Sequence, residues 1–145
     1  MPASRALAHG TLVVAAFAAA GCGGVSSSPY ICPETPAAVV ASGALVSPAN
    51  GTTGVSPSVG RITFTVSSPD LQGTAPGTVV ALTPRGGGSP VQQPDSVITT
   101  NGVSSSVIPP LRAATTYGVT ITSTPTLPGG CSGLVTAALG SFTTQ

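Results

Sequence analysis

Lysine and tryptophan are missing from this 145-residue chain, and histidine occurs once. Charged side chains make up 5% of it, against about a quarter in an ordinary soluble domain. The cations are Arg5, Arg61, Arg85 and Arg112, and the acids are Glu34, Asp70 and Asp95. Each absence removes a chemistry. A phosphate-tracking surface needs clustered Lys and Arg, so nucleic acid is excluded as a partner. The single histidine, His9, falls in the leader described below, so a Ser-His-Asp or Cys-His arrangement is excluded beyond it. Without Lys there is no Ser-Lys or Schiff-base site. Zinc calls for Cys and His sets and calcium for several clustered oxygens, which three scattered acids do not supply. Two carboxylates suffice for glycosidase chemistry. However, Asp70 and Asp95 stand in Ser-Pro-Asp and Pro-Asp-Ser segments, where Asx turns are the expected role. The reading is a non-enzymatic chain with no catalytic residue, metal or cofactor.

What is present begins with an address. Residues 1–10 carry Arg5 and no acid, and the apolar run Thr11–Ala20 follows. Ten helical residues reach about 15 Å, half of a hydrocarbon core of about 30 Å. A positive start, a short apolar stretch and small residues before a cut site mark residues 1–21 as an export signal. Ala19-Ala20-Gly21-Cys22 resembles the lipobox of bacterial lipoproteins. That resemblance implies cleavage before Cys22, a diacylglycerol thioether on its sulfur and a lipid hold on the membrane. Ala19 stands where Leu is commonest, which leaves cleavage after Ala18-Ala19-Ala20 and plain secretion as the alternative. Gly23 and Gly24, in place of an Asp, imply an outer-membrane or cell-surface destination in a host with two membranes.

Residues 22–42 read as the anchor cysteine and a flexible Ser/Gly/Pro tether, although Ala37–Ala41 is also readable as a short extra strand. Residues 43–145 read as one domain. Arg61–Val66 alternates, with Ile62, Phe64 and Val66 on one face, and Tyr117–Thr122 does the same with Tyr117, Val119 and Ile121. Thr78–Thr83 is a third run. Ser96–Thr100 and Val103–Ile108 flank Asn101-Gly102, the dipeptide best suited to a type I′ hairpin turn. Ala44–Val46 and Leu139–Thr144 supply outer strands. About seven short strands, with Pro and Gly between them and no helical period, predict a single antiparallel β-sandwich of immunoglobulin-like or fibronectin III-like type. Asn50-Gly51 and Gly86–Gly88 read as turns. Arg61 is expected to face outward, and Arg85 and Arg112 to lie in loops, either solvated or bracketing an anionic ligand.

Val46–Pro57 followed by Ile62-Thr63-Phe64, then Leu111–Ile121 and the closing Gly140–Thr144, resembles the SbsA-type bacterial immunoglobulin-like domain over about residues 45–144. The resemblance implies a sandwich, life outside the cytoplasm and a structural or adhesive module. Leu111 and Tyr117, six residues apart at the opening of the sixth expected strand, have the layout of a tyrosine corner, whose phenol bonds to upstream backbone. With Cys22 acylated, Cys32 and Cys131 are the remaining thiols, and exported thiols pair. In such a sandwich the last interstrand loop, which holds Cys131, lies at the end where the first strand starts, so a Cys32–Cys131 disulfide is expected, with two independent thiols as the alternative. The functional expectation is an envelope lipoprotein displaying one interaction module to an unidentified envelope protein or glycan. The alternatives are a glycan- or other ligand-binding lipoprotein, and an accessory or inhibitor subunit that pairs through an edge strand.

Overall fold

A computed structural model describes residue 32 and residues 37–72, 77–126 and 130–145. Among them are nine strands: β1 (Ala38–Val40), β2 (Gly43–Ser47), β3 (Arg61–Val66), β4 (Val79–Pro84), β5 (Val91–Pro94), β6 (Val97–Thr100), β7 (Val103–Val107), β8 (Thr116–Ser123) and β9 (Leu134–Thr143). A one-turn 3-10 helix, Pro69–Leu71, follows β3. The chain folds as an all-β sandwich, with one sheet ordered β1-β9-β8-β4-β5 and the other β2-β3-β7-β6. This is the strand order of an immunoglobulin-type sandwich.

The period of two sets the layers. Ile62, Phe64 and Val66 of β3 turn inward together, as do Tyr117, Val119 and Ile121 of β8. They pack against Val80 and Leu82 of β4 and Val135, Ala137, Leu139 and Phe142 of β9. The Tyr117 and Phe142 rings lie 6.1 Å apart and tilted, within the range in which aromatic pairs attract. Asn101 and Gly102 both take positive φ, 51° and 78°, and close the β6–β7 hairpin as a type I′ turn requires.

Three expectations need correction. The sandwich starts before residue 43: β1 pairs with β9, and it does so in parallel. Ala41 then donates to Thr136 O of that sheet, while Ser42 O accepts from Ser67 of the other. β1 and β2 thus form one extended run that changes sheets at Ala41–Ser42. Its Val39 and Val40 side chains are exposed, so the gain of β1 lies in pairing the backbone edge of β9. The alternative reading of Ala37–Ala41 as a short extra strand is thus the one found, at Ala38–Val40, and residues 37–42 belong with the sandwich and not with the tether.

The second correction is β5, which the prolines at 90 and 94 hide from a sequence reading. It survives because it is an edge strand, bonded to β4 alone. With β1 and β5 added, there are nine strands where about seven are expected. Tyr117 accordingly opens the eighth strand and not the sixth.

The third concerns the two aspartates. Asp95, at φ 49°, does not turn its carboxylate onto its own following backbone but accepts from Gly77 N–H at 3.1 Å. Asp70 accepts from the Ser68 hydroxyl at 3.5 Å, while Gln72 N–H goes to Pro69 O. Both carboxylates serve loop geometry by other means than an Asx turn.

Candidate functional site

The strands define two poles. At one, the entry pole, β3 ends, β4 begins, and the β8–β9 connection carries Cys131, which is joined to Cys32 by a disulfide with a Cα–Cα distance of 5.5 Å. At the other, the far pole, β2 ends, β3 begins, and the 108–115 loop carries the chain from β7 to β8. The six residues of β4 separate the poles by about 20 Å.

Asp95 lies at the crossover from β5 to β6: its N–H bonds Thr78 O just ahead of β4, while Val97, two residues on, pairs with Ser106, the partner of Ile62. Asp70 lies at the entry pole, in the 3-10 turn after β3. All three arginines lie at the far pole. Arg61 opens β3 opposite Val107, Arg85 follows the last residue of β4, and Arg112 sits in the 108–115 loop. Arg61 faces outward and donates to Ser105 Oγ at 3.2 Å.

Arg85 and Arg112 line one groove of about 460 Å³ with Gly86, Gly87, Ala114 and Thr116. A methyl group added at Gly88 would stand 3.4 Å from Arg112 Nη1, so the guanidinium lies against the triglycine turn. Arg85 also borders a second groove, of about 480 Å³, whose floor is made low by Gly118, Ala138 and Gly140 on the outer face of β8 and β9. The two grooves meet at Arg85.

Buried side chains hold the mount of Arg112. The Tyr117 phenol oxygen accepts from Arg112 N–H at 2.9 Å, five residues upstream. Thr144, 2% exposed, donates through Oγ1 to Arg112 O at 2.6 Å, with Thr115 O a longer second acceptor at 3.2 Å. The same Oγ1 accepts from Thr115 N–H at 3.0 Å. Arg112 is therefore fixed at its N–H and its C=O by residues whose positions the core decides. Arg85 is tied more simply, its N–H donating to Thr116 O at 2.9 Å. Leu111 is buried beside them, its N–H on Pro57 O.

The sequence reading leaves Arg85 and Arg112, 27 residues apart, as solvated cations or a bracket for an anion, and the fold brings the two to one groove. That reading assigns nothing to Thr144. Asn50 is another residue whose part is visible only in the fold. Its Oδ1 accepts from Ser141 N–H at 2.9 Å, beside a register shift at which Leu139 is the extra residue between Ala138 and Gly140. The turn it belongs to is present, with Gly51 N–H bonded to Ser141 O.

The remaining sequence candidates divide simply. Phe64, Tyr117 and Phe142 are buried, so a carbohydrate platform cannot use those rings. Gly87 and Gly88, at φ 91° and 120°, form the expected turn after β4. Cys22, Tyr30 and Glu34 lie outside the described residues. Among the described residues, no group of three or more His, Cys, Asp or Glu could hold a metal ion, and no helix is long and apolar enough to cross a membrane. Comparison with known families, curated proteins and solved structures returned no match for this chain.

Proposed function

We propose that this chain is an exported lipoprotein, held at a bacterial envelope by lipid on Cys22, whose immunoglobulin-like sandwich acts as a non-enzymatic interaction module related to the SbsA-type domains. The observation that carries the reading is the Ala19-Ala20-Gly21-Cys22 segment behind a short apolar run, followed by a sandwich to which Cys32, ten residues after Cys22, is tied by a disulfide. Several acyl chains, at about 0.8 kcal/mol per buried methylene, would make the attachment lasting.

The test is the intact mass of the protein purified from a bacterial host, with Cys22→Ser beside it. The reading expects a lipid-sized increment on the native chain, starting at Cys22, and its loss in the variant together with loss of detergent-phase partitioning. A native chain that begins beyond Ala20 without a lipid increment would establish plain secretion instead.

A further inference from the structure

We infer that the groove between Arg85 and Arg112 captures oxyanion groups, carboxylate or phosphate, carried on a surface polysaccharide. The inference rests on the proposed envelope location for its choice of polymer, but the groove itself is argued from the fold.

Two arginines line one concavity, although only three occur in residues 37–145. Arginine presents a planar fork of donors that matches a carboxylate or phosphate in bidentate fashion. No Asp or Glu among the described residues lines the groove, so an anion entering it meets no carboxylate side chain there. Gly86 and Gly87 place no side chain in the space, and the Arg112 guanidinium is laid along the turn by contact at Gly88.

Preorganisation is the second argument. Arg112 is held at both backbone groups by buried Tyr117 and Thr144, so binding does not have to order the loop that carries it. The third argument is length. Arg85 joins the groove to the Gly118–Gly140 trough, giving an extended track and not a pocket for one small ion. A chain with charged groups at intervals fits such a track. Neutral sugars are disfavoured, because no aromatic ring among the described residues lines the groove for them to stack on.

The experiment uses the full chain as purified from its host, with Arg85→Gln, Arg112→Gln and Arg61→Gln. Each is measured against immobilised polygalacturonate, a phosphorylated mannan, neutral dextran, inorganic phosphate and vesicles containing phosphatidylglycerol. The inference expects binding to one or both anionic polymers and none to dextran. Arg85→Gln and Arg112→Gln should each weaken it about tenfold, and Arg112→Lys should restore part of the loss. Arg61→Gln, whose side chain serves the sheet face through Ser105, should bind as the native chain does. Raising salt from about 0.05 to about 0.5 M should weaken native binding and flatten the differences. Denaturation midpoints of the variants should stay at the native value, since the backbone bonds of both mounts are retained.

Four results overturn the inference: equal binding by all variants, equal loss in Arg61→Gln, binding to vesicles or inorganic phosphate but neither polymer, and no binding at all. The envelope reading fails separately, through the mass of the native chain, so the two failures cannot be confused.

Discussion

The Tyr117 phenol oxygen accepts the backbone N–H of Arg112 at 2.9 Å, so a core aromatic also sets the position of a far-pole arginine. Replacing Tyr117 with Phe keeps the ring and strands that N–H. The expected cost is about 1–2 kcal/mol, read as a lower urea midpoint with an unchanged slope. If the midpoint does not move, water satisfies Arg112 equally well and the 108–115 loop is held by its other bonds, those of Thr144, of Leu111 to Pro57 and of Ala114 to Gln145.

Gly140 sits at φ 130°, a conformation that side chains rarely adopt, and a Cβ there would come within 2.6 Å of Asn50 Oδ1. Gly140→Ala should therefore destabilise by about 1–3 kcal/mol through backbone strain and collision together. Asn50→Ala removes the two closest colliding atoms, leaving its own Cβ at 3.2 Å, but also loses the bond to Ser141. The double variant should be less damaged than the two single losses summed, by about 0.5 kcal/mol or more. Strict additivity would show that the turn moves aside without resistance.

The disulfide spans a sequence separation of 99 residues. Chain-entropy reasoning sets its contribution at no more than about 4–5 kcal/mol, and losses from small exported domains run at about 2–5 kcal/mol. Cys32→Ser with Cys131→Ser should lower the denaturation midpoint by a corresponding amount, and non-reduced native protein should show no thiol after denaturation. Two titratable thiols in that sample would remove the bridge.

Ser104 of β7 points into the sandwich opposite Phe64, while neighbouring Val103 is partly exposed. Ser104→Leu should cost about 1–3 kcal/mol by overpacking. Val103→Ser should stay within about 0.5 kcal/mol of the native protein. Thermal melts of the two variants check the assignment, and the reverse ranking would mean that β7 presents its other face to the core.

That strand shows where local reading stops. In Val103-Ser-Ser-Ser-Val107, apolarity alone would turn the valines inward, yet Ser104 and Ser106 are the buried residues. The reason lies on neighbouring strands. Phe64 and Ile62, their partners on β3, already fill the space. Thr99 and Ser96 give the two hydroxyls bonds of 2.7 and 2.6 Å. No property of β7 by itself contains this information.

The alternation in β3 and β8, the Asn101-Gly102 turn and the scarcity of helix-forming periodicity determined the all-β sandwich, because each acts through neighbours one to four residues apart. The positions of the cysteines, joined to that topology, were enough to expect the bridge. Burial of Tyr117 followed from its place in an alternating run. Three things came only with the tertiary structure: β1 on the edge of β9, the backbone clamp of Tyr117 and Thr144 on Arg112, and the collection of every described arginine at one pole. Arg61, Arg85 and Arg112 are separated by 24 and 27 positions in the chain, and an exposed arginine has no local preference that selects a pole. Their meeting is set by strand direction and register, which are global quantities fixed by how the two sheets close on their shared core.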